Sequence, residues 1–183
     1  MKKKYYAGIG SRNIPQDIAD MMEELGYRFA KMGFILRSGA SPGADTAFEL
    51  GATRGKGKYE IYLPWENFGK RKGPGYINAD NLDNRDQAEE IARSFHPDFD
   101  NLGEEAKKLI IRDTYQVMGK DLKTYSRFIV CWTPDGCISQ RYRTAETGGT
   151  GQAIAIANHL MIPIFNMGID VHRERIENWL NKS

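Results

Sequence analysis

Cysteine is scarce in this chain. Cys131 and Cys137 are the only two among 183 residues, too few for a disulfide framework, and Cys131 lies in an apolar run that reads as core. No stretch reaches the roughly 18 consecutive apolar residues that a membrane span needs. Histidine is limited to His96, His159 and His172, none in an H-E-x-x-H or comparable ligand spacing, which argues against a metal site. There is no G-x-S-x-G nucleophile elbow and no G-x-x-x-x-G-K-[ST] loop, so neither serine hydrolysis nor P-loop ATP hydrolysis is supported. Candidate catalytic carboxylates reduce to Asp45, Glu66, Asp135 and Glu146, none with an obvious partner. Excess charge is missing too: a net +2 does not by itself imply nucleic-acid binding, and the short basic runs at 2–4 and 70–72 read as solvated surface. The opening Met1-Lys2-Lys3-Lys4 has the charge of a signal-peptide start, but Gly8, Gly10, Ser11 and Arg12 stand where the apolar segment should follow. The expectation is a cytoplasmic protein with no membrane partner.

Glycine, by contrast, is abundant, with 19 residues, and it is placed with a pattern. Three glycine turns each follow an apolar run. Gly8-Ile9-Gly10-Ser11-Arg12 follows Tyr5-Tyr6-Ala7, Ser38-Gly39-Ala40-Ser41-Pro42-Gly43-Ala44-Asp45 follows Phe34-Ile35-Leu36, and Thr147-Gly148-Gly149-Thr150-Gly151-Gln152 comes after the strand-like run 127–132. A strand, a glycine turn and a helix together present unpaired backbone N–H groups to an anion. The first turn has Asn13 where a dinucleotide fingerprint needs its third glycine, so that fingerprint fails. Ser11 and Arg12 still add a hydroxyl and a guanidinium suited to phosphate. Asp45 falls in the first turn of its helix, where it favours the helix dipole or reads a sugar or base group.

The periodicity gives strands at 4–9, 34–37, 59–63, 127–132 and 162–165. Helices are expected at about 15–32, with Pro15 at the first helical position and Gly33 as the stop, then 44–54, 85–95, 103–122, 153–160 and 171–180. Asp113 shares a face of the 103–122 helix with Ala106, Leu109, Ile110 and Val117, and Asp170 is a plausible N-cap for the last helix. This order predicts an α/β fold, a Rossmann-like doubly wound and mostly parallel sheet with helices on both faces. Residues 1–183 form one such domain, with a loop insertion around 64–85 and a polar loop at 133–147. Apolar surface near Trp179 would either form a dimer interface or pack on the sheet.

The motifs taken together carry a family resemblance. Tyr6-Ala7-Gly8-Ile9-Gly10-Ser11-Arg12, Ser38-Gly39-Ala40 with Gly43-Ala44-Asp45, Tyr62-Leu63-Pro64-Trp65, Val130-Cys131-Trp132-Thr133 and Thr147-Gly148-Gly149-Thr150-Gly151-Gln152-Ala153-Ile154 run in order through nearly the whole chain. They resemble the DprA-like proteins of phages and bacteria, within the SMF/DprA–LOG (SLOG) group of Rossmann-like folds. The resemblance implies a nucleotide-type pocket at the strand carboxyl ends and leaves three functions open. Members bind single-stranded DNA and load a recombinase, hydrolyse the N-glycosidic bond of cytokinin nucleotides, or bind nucleotide-derived signals in conflicts between phage and host. The glycosidase pattern P-G-G-x-G-T-x-x-E puts its acidic positions on Ile154 and Ala155 and its proline on Thr147, so the glutamate is absent and no catalytic residue is expected. Single-stranded DNA would need a basic groove with stacking aromatics, for which Lys70, Arg71, Lys72 and Tyr76, or Arg141, Tyr142 and Arg143, are the candidates.

The resulting expectation is a binder of a nucleotide-derived small molecule, acting without turnover and requiring no cofactor. For a phage protein, that means sequestration of a host immune nucleotide signal. The phosphate would lie on Gly8, Gly10, Ser11 and Arg12 and on Thr147, Gly148, Gly149, Thr150, Gly151 and Gln152. Ser38, Gly39, Ala40, Gly43 and Asp45 would form a second wall. Trp65, Trp132 and Thr133 would receive the base or sugar, and Arg141 or Arg143 would close over it. The partner expectation adds a homodimer.

Overall fold

A computed structural model describes residues 3–182. Its centre is a six-stranded sheet in which every pairing is parallel. The elements run β1 (Lys4–Gly8), α1 (Gln16–Lys31), β2 (Phe34–Ser38), α2 (Ala44–Arg54), β3 (Tyr59–Leu63), β4 (Tyr76–Asn78), α3 (Arg85–Phe95), α4 (Glu104–Met118), β5 (Ile129–Cys131), α5 (Thr150–His159), β6 (Ile164–Asn166) and α6 (Asp170–Leu180). The spatial order is β4-β3-β2-β1-β5-β6. The chain therefore winds outward from β1 in one direction, returns through α3 and α4, and winds outward again through β5 and β6. This is the doubly wound, Rossmann-like α/β arrangement.

Strand side chains alternate between the two faces, and each face has its own core. Tyr6, Leu36, Ile61, Leu63 and Val130 pack with α1, α2 and α6. Ala7, Ile9, Tyr62, Ile129 and Cys131 pack with α3, α4 and α5. Helix α1 turns Ile18, Met22, Leu25 and Phe29 inward, the spacing of one helical stripe. Trp179 of α6 closes this side against Phe29, Phe34 and Phe128, at ring distances of 5.9, 5.8 and 5.8 Å.

Several boundaries differ from the sequence reading. The 64–85 segment is not simply a loop: residues 64–75 cross over to β4, whose Tyr76, Ile77 and Asn78 pair with Ile61, Tyr62 and Leu63. The strand is three residues long and follows Gly73-Pro74-Gly75, so it carries no alternation to read. Helix α4 stops at Met118 because Gly119 takes φ +81°, a conformation that ends helices. The strand expected at 127–132 is regular only over Ile129–Cys131, and α5 starts three residues early, at Thr150. Pro15 sits just before α1 rather than in it, and Ile169, not Asp170, caps α6.

Glu49 pins β4 and its crossover to α2. Its carboxylate accepts Tyr76 Oη at 2.6 Å and Arg71 Nε at 2.8 Å. Tyr76→Phe removes a partner from this buried group and is expected to cost about 1–2 kcal/mol, read as a lower urea midpoint with unchanged slope.

Candidate functional site

Strand order reverses between β1 and β5, because β2 follows β1 to one side while β5 lies on the other. In open α/β sheets the loops leaving the carboxyl ends part at such a point and leave a crevice where ligands bind. Here the crevice is a cleft of about 470 Å³, within the range typical of small-molecule sites. One wall is the loop after β1, Ile9 to Arg12, and another is Thr147 to Thr150 at the start of α5. Opposite them runs α4, with Ala106, Leu109, Asp113 and Gln116 facing the cleft, an i, i+3, i+7, i+10 stripe along about 15 Å of helix. The stripe is apolar at one end and polar at the other.

The turn at α5 has donors to offer. Gly151 N–H bonds Gly148 C=O and Gln152 N–H bonds Gly149 C=O, whereas the N–H groups of Gly149 and Thr150 reach no carbonyl among the described residues. These are the free donors that a helix start leaves. The polar loop before the turn is cinched by Asp135. Its carboxylate accepts Thr144 Oγ1 at 2.7 Å, the Thr147 hydroxyl, and Cys137 N–H at 3.2 Å. Burial would raise this carboxyl, but the Thr147, Thr144 and Thr133 hydroxyls outweigh it and hold it below the usual range. Arg143 leaves the same loop and passes directly over Gly151, where a Cβ would lie 2.5 Å from its Nε. Its Nη1 then donates to Phe95 C=O at 3.1 Å, which leaves the guanidinium beside the cleft. His96 lines the cleft next to it. Burial, then the Arg143 charge, lowers the His96 pKa against the opposing pull of Asp98. Its Nδ1 accepts Asp98 N–H at 3.2 Å, so the neutral ring carries its proton on Nε2.

The polar end of the cleft holds three buried charges. Arg112 Nη1 donates to Gly39 C=O and lies 4.0 Å from Asp45 Oδ2, while its Nε is 3.0 Å from Asp113 Oδ1 without making a hydrogen bond. Gly39 is needed here, since a Cβ would fall on the guanidinium. Asp45 Oδ2 accepts Ser41 N–H at 3.2 Å. With its amide turned to suit its neighbours, Gln116 accepts Gly39 N–H at 3.0 Å and donates to Asp113 Oδ1 at 3.3 Å. Burial pushes Asp45 up to about 6, against the lowering by Arg112. Burial pushes Asp113 up to about 7, again against Arg112 and with Asp45 adding to the rise. Two carboxylates sharing one guanidinium in a water-poor site cannot both ionise at their ordinary pH.

Of the residues singled out in the sequence, Gly10, Ser11, Arg12, Asp45, Arg143, Thr147, Gly148, Gly149 and Thr150 line this one cleft. Others stand behind it. Ser38 Oγ donates to Gly8 C=O at 2.6 Å, and Gly8 faces Phe48. Ala44 N–H, just after Gly43, donates to Ser11 C=O at 3.2 Å and joins the first two turns. Ala40 is buried, Gly151 lies under Arg143, and Gln152 Nε2 donates to Ala92 C=O at 2.8 Å. Thr133 Oγ1 accepts Asn166 Nδ2 at 2.8 Å, and Trp132 C=O accepts Ser11 N–H at 3.1 Å. Trp65 and Arg141 are not among the lining residues. Trp65 stands edge-on to Phe68 at 5.1 Å and Arg141 lies over Tyr142 at 5.6 Å. The cleft is also lined by Ser41, His96, Leu102, Arg112, Asp113 and Gln116, none of which the sequence reading assigned to the site. The available signal was Asp113, a lone carboxylate in an otherwise apolar helical stripe. Among the described residues no group of three or more His, Cys, Asp or Glu could hold a metal ion, and no helix is long and apolar enough to cross a membrane.

Fold and cleft together define a Rossmann-like α/β protein with a crevice at its topological switch point. No protein-family model matches the chain, and neither does any curated protein sequence. Two solved structures are similar. One is a molybdenum cofactor carrier protein from Chlamydomonas reinhardtii, with a TM-score of 0.41, 17% identity, and coverage of 72% of this chain and 77% of that one. The other is DNA processing protein A from Helicobacter pylori, described for its single-stranded DNA binding mode, with a TM-score of 0.42, 13% identity, and coverage of 98% of this chain and 79% of that one.

Proposed function

We propose that the protein binds a nucleotide-derived, phosphorylated small molecule in the switch-point cleft and holds it without turnover. The observation that carries this reading is the convergence of two glycine turns on one cleft: Gly10 to Arg12 from β1, and Thr147 to Thr150 at the start of α5. Phosphate takes the N–H groups of Gly149 and Thr150, where the helix dipole adds to the attraction, with Arg12 and Arg143 supplying countercharge. The base lies on the apolar end of α4, formed by Leu102, Ala106 and Leu109. Holding rather than cutting is favoured because the position of the glycosidase glutamate belongs to Ala155, which is buried.

The DNA-binding alternative finds less support. Arg71 is paired with Glu49, and the ring of Tyr76 packs on Tyr59 at 5.4 Å, so the basic run at 70–72 loses a charge and its stacking platform. The test is isothermal titration of the protein with AMP, ADP-ribose, cyclic ADP-ribose and cyclic dinucleotides. At least one is expected to bind more tightly than about 100 μM, roughly −5.5 kcal/mol. No binding by any of them, together with a gel shift of a single-stranded oligonucleotide that persists at physiological salt, would replace this reading with the DNA one.

A further inference from the structure

The phosphate turns and the apolar stripe leave the polar end of the cleft unused. It is built at evident expense, with Asp45, Arg112 and Asp113 buried together and Gly39 kept bare to admit the guanidinium. Charges removed from water are tolerated when paired and fully hydrogen-bonded, and this cluster is paired but not fully hydrogen-bonded. Arg112 Nε makes no hydrogen bond although the side chain is buried and lines the cleft. Asp113 Oδ2 receives none among the described residues; the contacts from Arg112 and Gln116 both fall on Oδ1. Asp113 lines the cleft, and an acceptor left unmet there is where a ligand's polar group completes the pairing.

We propose that Asp45, Arg112 and Asp113 form a subsite for the vicinal hydroxyls of a ribose, on a ligand whose phosphate sits at the Gly149–Thr150 turn. The inference rests on the binding reading above and names the part of the ligand that this end takes. Two carboxylates and one guanidinium sum to −1, and the shared proton that burial favours brings the cluster to neutrality. A neutral group that both donates and accepts suits such a site better than an ammonium, which would add a second cation beside Arg112. A diol has that character: its O–H groups donate to ionised carboxylate oxygen, and its lone pairs accept from a protonated carboxyl. The layout agrees. Asp113 lies one helical turn from Leu109 on α4, about 6 Å, which places a sugar between a base on the apolar end and a phosphate on the opposite turn.

The experiment compares AMP with 2′,3′-dideoxy-AMP by calorimetry on the unmodified protein, so no variant need fold for it to decide. The dideoxy compound is expected to bind at least about tenfold more weakly, because hydroxyls bonded to charged groups are lost and those groups stay buried and unmet. In Asp113→Ala the gap between the two compounds is expected to shrink to within about twofold. Equal binding of both by the unmodified protein overturns the subsite and leaves the cleft reading standing. Failure of both compounds to bind, while ADP-ribose or a cyclic nucleotide does, overturns the subsite as drawn for a free ribose diol; failure of every nucleotide removes the binding reading and the subsite with it.

Discussion

Gly149→Val is expected to weaken nucleotide binding by about a hundredfold or more while moving the melting temperature by only a few degrees. The backbone makes the substitution tolerable: Gly149 has φ −61° and ψ −28°, ordinary values for any residue. Space makes it tolerable too, since an added Cβ would meet no atom within 4 Å. Gly149 lines the cleft, so the valine methyls are expected to stand where an oxyanion would approach the Gly149 and Thr150 N–H groups. Losing two charge-assisted hydrogen bonds at about 1.5–3 kcal/mol each gives the hundredfold figure at about 1.4 kcal/mol per factor of ten. A branched residue at a helix start costs about 1 kcal/mol, or about 2–4 °C in a chain of this size. Gly151→Val is the contrasting variant. Its Cβ would lie 2.5 Å from Arg143 Nε, so it must displace that side chain, and both binding and stability should fall. If Gly149→Val binds as the unmodified protein does, the phosphate does not sit on this turn.

How much of this could be read beforehand differs between fold and cleft. The sheet was legible wherever glycine or proline brackets apolar runs of some length, as at 34–38 and 59–63. β4 was not legible, because three residues after Gly73-Pro74-Gly75 show no period and their pairing with β3 is decided by the Glu49 anchor on another helix. The glycine walls of the cleft were visible as local motifs. Its polar end was not: Arg112 reaches the Gly39 carbonyl across 73 residues of sequence, and helical periodicity says which residues share a face without saying what that face meets. Two aromatic and basic loop residues lie outside the cleft lining for the opposite reason. Trp65 and Arg141 had neighbours close at hand, Phe68 and Tyr142, and sequence alone does not rank a local partner against a distant ligand.

The same polar end gives the second large effect, one that appears in the empty protein. Asp113→Asn is expected to be more stable than the unmodified protein at pH 8, with the gap closing as pH falls toward 4. The folded-state carboxyl is raised to about 7 from an ordinary 3.8. Between those values the native state holds more protons than the unfolded chain, so stability falls as pH rises through the window. Below it both states are protonated and an asparagine matches the neutral acid; above it the unmodified protein carries a buried charge that the variant lacks. At about 1.36 kcal/mol for each tenfold change in the acid equilibrium, the ceiling is about 4 kcal/mol, a rise of several degrees in melting temperature. Asp45→Asn should behave alike with a smaller amplitude, its carboxyl standing at about 6, and its amide oxygen can still accept Ser41 N–H. The two substitutions will not add, because Asp45 raises Asp113 and both lean on Arg112. Melting curves from pH 4 to 8 decide the matter: a variant that is less stable at pH 8 would mean that the Arg112 pairing outweighs burial. A gain at pH 8 would instead mean that the chain keeps a carboxylate at a place where it lowers stability, as sites shaped for a ligand do.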